Sequence, residues 1–423
     1  MASETRSPAV TLGERPSGWS SATIVEFLTE AARSIGIGTS TDAGWAPAPT
    51  AGVVPIMMTG GIPDPGTLPK AELLAAMASV LDTAPTEALR YGGTQGYEAL
   101  RVSLSERMGH IDGLQQGPEN FVLTNGSAGG IDLVSSTFIN PGDIVVAESP
   151  TFSGTLRTFR GHMARLMPVP TDNEGLVTDA LAELLERQQT LGEPVKAIYT
   201  IPDFHNPMGT NMSLRRRQHL VELSTRYRAL IIEDDAYNEI SFGGEYVPSL
   251  YSLAGGAGVL RAGTFSKTIA TGLRVGWVQG RADFIDGCVR MRFDMGASPL
   301  LHRMLGEFVA SGQWDRHILK MRRLYGEKCD ALCSSLVNEC EPYARFQKPQ
   351  GGFFLWLECL GGIEATKVAQ IASEEGCLIV PGRNFYMDGQ DTSHLRLAFS
   401  TESPQDLREA GKRLAKAFAR AAG

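Results

Sequence analysis

The chain has 423 residues, more than one ordinary domain needs and comfortable for two, and 43% of them are hydrophobic, enough for a large buried core. A formal net charge of −8 with no strongly basic block argues against a main role in gripping nucleic acid. No apolar run reaches membrane-spanning length, and the polar start "MASETRSPAVTLGERPSG" lacks the apolar core of a secretory signal, so a cytoplasmic protein is expected.

Residues 1–18 read as a flexible tail. The stretch "SSATIVEFLTEAARSIG" (20–36) predicts a helix, with Ser20 or Ser21 as N-cap and Ile24, Phe27 and Leu28 on one side. "GTSTDAGWAPAPTAG" (38–52) is a loop by composition. From about residue 119, short apolar runs alternate with helical stretches: "FVLT", "DIVVAES", "KAIYTIP", "ALIIEDD", "VLRAGTFS" and "VGWVQG". Runs without polar alternation suit strands covered on both faces, so an α/β fold with a mostly parallel sheet flanked by helices is expected. After about residue 318 the pattern becomes that of a smaller α+β domain. A long helix, "ILKMRRLYGEKCDALCSSLVNEC", leads into "GGFFLWLEC", "CLIVPG" and "HLRLAFS", and a last helix starts near Ser403 and Pro404. The division expected is a large domain at 86–318, with 19–85 and 319–423 forming an N-terminal arm and a small C-terminal domain. Six cysteines (Cys288, Cys329, Cys333, Cys340, Cys359 and Cys377) show neither a CxxC pair nor zinc-like spacing to histidine, which reads as incidental thiols rather than a metal site.

Several runs of the middle region lead to a polar or aromatic residue out of keeping with the strand before it. "DIVVAES" leads to Phe152, "KAIYTIP" to Asn206, "ALIIEDD" to Asp234 and "VLRAGTFS" to Lys267. In open α/β sheets ligands bind beyond the carboxyl ends of the strands, so these four are expected on one rim. Thr264, Ser266 and Arg274 flank Lys267, and "TNGSAGG" (124–130) follows "FVLT". Gly126, Ser127 and Ala128 would offer backbone N–H groups at a helix N-terminus, a natural phosphate seat, and Arg274 adds a forked charged donor.

A ligand with a phosphate, an aromatic ring and an aldehyde satisfies the whole set. The phosphate goes to Ser127, Ser266 and Arg274, and the ring stacks on Phe152. A protonated ring nitrogen meets Asp234, and a ring hydroxyl meets Asn206 and Tyr237. The aldehyde condenses with Lys267 as a Schiff base. That ligand is pyridoxal 5′-phosphate. Competing readings stand beside these: Asp235 adjoins Asp234, so one of the two could be only a helix cap or solvent carboxylate, and the D-x-x-Y spacing to Tyr237 favours Asp234 as the functional one; Phe152 could be sheet packing, and His205 reads as a loop residue.

The chain resembles fold-type I pyridoxal phosphate enzymes of the class I/II aminotransferase family, nearest the branch with 2-aminoadipate and kynurenine aminotransferases. The resemblance rests on "GGIPDPGTLP" (60–69), "YGGTQGYEALR" (91–101), "TNGSAGGIDL", "ESPTFSG", "PDFHNPMGT", "EDDAYNEI", "GTFSKTIATGLRVGW", "PQGGFFLWL", "LIVPGRNF" and "HLRLAFS", in that order. It implies that Ala128, Thr264 and the other residues named above line the cofactor site. It further implies that Tyr91 reaches the phosphate of a neighbouring subunit in a homodimer with shared sites. Gly61, Asn206 and Arg396 would then take the substrate, Arg396 by its α-carboxylate. Residue alternation agrees on Arg396, since Leu395, Leu397 and Phe399 share the opposite face of "HLRLAFS".

The activity implied is transfer of an amino group between an L-amino acid and a 2-oxo acid, with Lys267, Asp234 and Tyr237 as its catalytic residues and Lys267 moving the α-proton. Other outcomes stay open on this scaffold: elimination, replacement, oxidation, carbon–carbon bond formation, or cyclisation of a sulfonium amino acid such as S-adenosylmethionine. A DNA-binding regulator with the same body is a further, less favoured reading. Two departures from the branch stand at the rim: Ala128 and Gly129 where two amides are usual, and Met208 where threonine is common.

Overall fold

The computed structural model describes residues 26–35, 52–243 and 246–423. The tail, Ser20, Ser21 and Ile24 lie outside the described residues, as does most of the loop at 38–52. Instead of running unbroken, the predicted N-terminal helix is interrupted at Leu28 and Thr29. Thr29 is extended and its hydroxyl accepts from the Ala32 N–H at 3.1 Å, so it caps a new helix, Glu30–Ser34.

In chain order the strands are β1 (Ile56–Met57), β2 (Phe121–Thr124), β3 (Ile144–Ser149), β4 (Arg165–Asp172), β5 (Gly175–Leu176), β6 (Val195–Thr200), β7 (Leu230–Asp235), β8 (Val259–Thr264), β9 (Gly276–Gln279), β10 (Ala344–Phe346), β11 (Phe354–Cys359), β12 (Cys377–Leu378), β13 (Val380–Pro381) and β14 (His394–Ala398). Eight of them form one sheet in the order β2-β9-β8-β7-β6-β3-β4-β5. Its central pairs, from β8 through β7, β6 and β3 to β4, are parallel. The antiparallel β9 sits between β2 and β8, so β2 runs in the same direction as β8.

Alternation along β3 shows why these strands lack a polar face. Ile144 and Val146 join one core cluster with Leu181, Leu185, Leu220 and Leu223 from the helices Thr178–Thr190 and Leu214–Tyr227. Val145 and Ala147 join the opposite cluster with Ile131, Val134, Leu156 and Phe159 from the helices Gly126–Phe138 and Ser153–Gly161. Each strand is therefore apolar on both sides, as a sheet covered twice requires.

A second sheet, β10-β11-β14-β13, is antiparallel and packs with the 28-residue helix Gln313–Cys340 and the final helix Pro404–Ala422. Ser403 caps that last helix by accepting from the Asp406 N–H, with Pro404 in the first turn. The long helix belongs to both bodies: Trp314 and Ile318 pack beside Phe265 and Phe308, while Leu332 and Leu336 pack beside Leu355 and Leu357. The short β1 pairs with β12 in parallel, and helix Lys70–Thr83 sets Leu73, Ala76 and Met77 against the cluster of Phe121, Leu123 and Phe265. Among the described residues no helix is long and apolar enough to cross a membrane.

Candidate active site

Parallel strands point their carboxyl ends to one edge, and there the chain places its chemistry. A cleft of about 380 Å³ is lined by Gly61, Ile62, Ser127, Ala128, Phe152, Asn206, Asp234, Tyr237, Thr264, Ser266, Lys267, Arg274 and Phe354, among others. Residues up to 206 positions apart in sequence meet directly: the Lys267 Nζ donates to the Gly61 carbonyl at 2.7 Å. A larger hollow of about 950 Å³ lies elsewhere, and neither Lys267 nor Asp234 lines it, so the smaller cleft is the candidate site.

Part of the cleft lining suits an anion. Helix Gly126–Phe138 starts there, with Gly126 at a positive φ of 74°. A Cβ on Gly126 would stand 3.0 Å from the Arg274 guanidinium, so glycine keeps that approach open. Arg274 is fixed by donating to the Ser266 hydroxyl and the Asn125 carbonyl, each at 3.2 Å. Helix N–H groups, a hydroxyl and a fork of positive charge thus converge. Thr264 works inside the turn: its hydroxyl accepts from the Ser266 N–H at 3.0 Å and donates to the Val275 carbonyl at 3.4 Å.

Asp234, at the close of β7, also lines the cleft. Its Oδ2 accepts from the Tyr199 hydroxyl at 2.7 Å, whereas its Oδ1 is buried with no hydrogen-bond partner among the described residues. Burial pushes the Asp234 carboxyl up to about 6, opposed by the Tyr199 hydrogen bond and the charge of Lys267. Asp235 is occupied elsewhere: Arg261 holds it at 2.6 Å on the other side of the sheet, and Asn238 donates to it at 2.9 Å. Of the adjacent pair, then, Asp234 is the one that lines the cleft.

Asn206 follows the β6 end and is joined to Pro207 by a cis peptide bond. Its Oδ1 accepts from Arg396 at 2.9 Å, leaving the amide NH₂ as its donor edge. Arg396 is fully buried behind Asn206, donates also to the Thr59 carbonyl, and lies between the rings of Phe354 and Phe385 at 4.4 and 4.6 Å. Sequence alternation had it facing a cleft; the side chain stands one layer deeper, reaching the site through Asn206. Tyr237 is edge-on to Phe353 and Phe354. Tyr91 is not in this cleft at all: it is 84% exposed and lines the larger hollow with Leu89, Met295 and Arg303.

Tyr199, Glu148 and the Thr59 carbonyl escaped the sequence reading. Glu148 is buried and accepts from Thr200, from the Ile201 N–H and from His205, so His205 is a buried partner of this carboxylate rather than a loop lining. A tyrosine or glutamate within an apolar strand carries no local mark separating such roles from packing.

The donor set fits pyridoxal phosphate on this structure's own terms, because an anion seat, a lysine and a carboxylate with a buried, orphaned oxygen all line one cleft. An open α/β sheet with this rim is that of a fold-type I pyridoxal phosphate enzyme. The chain belongs to the aminotransferase class I and II family, whose family model matches residues 63–414. It is 33% identical over 363 residues to the aromatic-amino-acid aminotransferase 1 of Thermococcus litoralis, covering 85% of this chain and 87% of that one. The kynurenine aminotransferase of Pyrococcus horikoshii, solved with PMP, superposes with a TM-score of 0.82 at 31% identity over 87% of this chain and 92% of that one. LysN, the alpha-aminoadipate aminotransferase of Thermus thermophilus solved with N-(5′-phosphopyridoxyl)-L-leucine, gives 0.79 at 33% identity over 86% and 92%. The protein is a pyridoxal phosphate-dependent aminotransferase that moves an amino group between an amino acid and a 2-oxo acid.

Proposed function

We propose that Lys267 is the residue that carries the cofactor and moves the substrate α-proton, with the remaining roles divided around it. Bound pyridoxal phosphate supplies a ring that withdraws electrons from the substrate carbon bearing the amine. Asp234 holds a proton at the ring nitrogen through Oδ1. Ser127, Ala128, Ser266 and Arg274 hold the phosphate, and Thr264 shapes the turn that presents them. Phe152 covers one ring face, while Asn206 and Tyr237 hold the ring hydroxyl. Arg396 takes the substrate α-carboxylate, exchanging its bond to Asn206 or Thr59 for a bidentate one. The observation that carries this reading is Lys267 and Asp234 in one cleft, with Asp234 Oδ1 buried and open. Ile62 and Phe354 present apolar surface beside Gly61, which supports an aromatic or long aliphatic substrate side chain. The names of the aromatic-amino-acid and kynurenine relatives agree with that.

A homodimer in the cytoplasm completes the proposal, with Tyr91 reaching its neighbour's phosphate. We place the large domain at about 70–318 rather than 86–318, because helix Lys70–Thr83 packs on the large-sheet side, and leave 52–69 with 319–423. The deciding experiment is borohydride reduction of the purified holoprotein followed by peptide mass analysis. The cofactor mass should appear on the peptide containing Lys267, and Lys267→Ala should turn over at least a thousandfold more slowly. Attachment to another lysine would end the assignment.

A further inference from the structure

The two oxygens of Asp234 have unlike surroundings, and one residue makes the difference. Tyr199 lies in β6 beside β7, in register with Ile232, so its side chain falls on the same face as Asp234 two residues on. It is fully buried, edge-on to Phe159 with ring centroids 5.6 Å apart, and its hydroxyl gives 2.7 Å to Asp234 Oδ2. The ring alone would fill this space, as Phe159 does next to it. A buried hydroxyl is favourable only if it is bonded, so the phenol is there for a partner. The other carboxylate whose charge acts on this phenol, Glu148, is already satisfied by Thr200, Ile201 and His205.

We propose that Tyr199 is a positioning residue of the transamination site: its hydroxyl pins Asp234 by Oδ2, turns Oδ1 to the cleft, and keeps that carboxylate anionic in a dry wall. The inference rests on the reading of Asp234 as the partner of the cofactor ring nitrogen. An unpinned carboxylate can rotate, and burial already favours its neutral form, which cannot pair with a protonated ring. A hydrogen bond to a charged group from a fixed donor is among the stronger kinds, so its loss is measurable.

The test is cofactor binding to apoprotein, followed by absorbance, for wild type, Tyr199→Phe, Asp234→Asn and the double variant. Each is titrated with pyridoxal phosphate and with an analogue carrying C–H in place of the ring nitrogen. Tyr199→Phe should bind pyridoxal phosphate about tenfold more weakly, with a shifted absorbance maximum, yet bind the analogue within about twofold of wild type. In the Asp234→Asn background, removing the hydroxyl should change either affinity by less than about twofold. Wild-type affinity of Tyr199→Phe for pyridoxal phosphate would overturn the proposal. So would an equal loss for both ligands, which marks a packing defect or misfolding. If Asp234→Asn itself binds pyridoxal phosphate as wild type does, the reading of Asp234 fails first, and the proposal falls with it.

Discussion

Asp234 occupies a place where its charged form is unfavourable, and the sign of the consequence is unusual for a carboxylate. Its folded pKa of about 6 lies above the ordinary 3.8. Stability from this group is therefore full below about pH 4 and is lost as pH rises through about 6. The shift corresponds to roughly 3 kcal/mol in the apoprotein. Thermal unfolding of apoprotein should show Asp234→Asn gaining on wild type between pH 4 and 7 and levelling above; a gap that stays constant across that range would contradict it. Arg396 lends itself to a second measurement. Its planar group fits between Phe354 and Phe385 as an ammonium cannot. Arg396→Lys should raise KM for the amino acid about tenfold or more while the bound cofactor's absorbance stays unchanged. At this scale much was legible. Lys267, Asp234, Asn206 and Phe152 each follow an apolar run with a residue the run does not explain, and the structure gathers them in one cleft. Tyr199 was not legible, because an aromatic in an apolar strand reads the same whether its hydroxyl is bonded or the ring merely packs.

Residues 56–67 act as a strap between the two bodies. β1 pairs with β12, the Ala398 N–H donates to the Met58 carbonyl at 2.9 Å, and Arg396 donates to Thr59. Asp64 is held by Lys328 at 2.5 Å, and its N–H donates to the Tyr325 hydroxyl at 2.9 Å. The strap thereby lays the Gly61 carbonyl on Lys267. Gly61 has no room for a side chain, since a Cβ would stand 2.2 Å from Phe354 Cζ. Gly61→Ala should lower stability by roughly 1–3 kcal/mol through overpacking, seen as a lower Tm, and raise KM as the carbonyl moves; an unchanged Tm and KM would show that the ring swings aside freely. The motif "GGIPDPGTLP" was visible in the sequence, but its anchors lie on a helix more than 250 positions away. Among strands, the long apolar runs were readable. Half-exposed β4, which carries two prolines, and the two- or three-residue β1, β5 and β10 were not, because their hydrogen bonds come from neighbours rather than from their own pattern.

For the whole molecule, the exposed rim of Leu89, Tyr91 and Met295 around the larger hollow fits burial against a second copy. On the proposed homodimer, neither Tyr91→Phe nor Lys267→Ala protein alone should reach wild-type activity. Co-refolded mixtures should recover part of it, since one hybrid site regains both residues; mixtures no better than the sum of the parents would argue for self-contained sites. By itself, the sequence determined that apolar strands would be sheathed on both faces and that their ends would carry a lysine, a carboxylate and an anion seat. Those are properties of period, of turn-forming residues and of side-chain chemistry, all local to a few positions. Only tertiary structure decided what pins Asp234, that Asp235 is held by Arg261 instead, that Arg396 stands behind Asn206, and that the strap meets Lys267. Each of those is a contact between segments distant in the chain, set by how the layers pack, and such contacts leave no periodic trace in either partner.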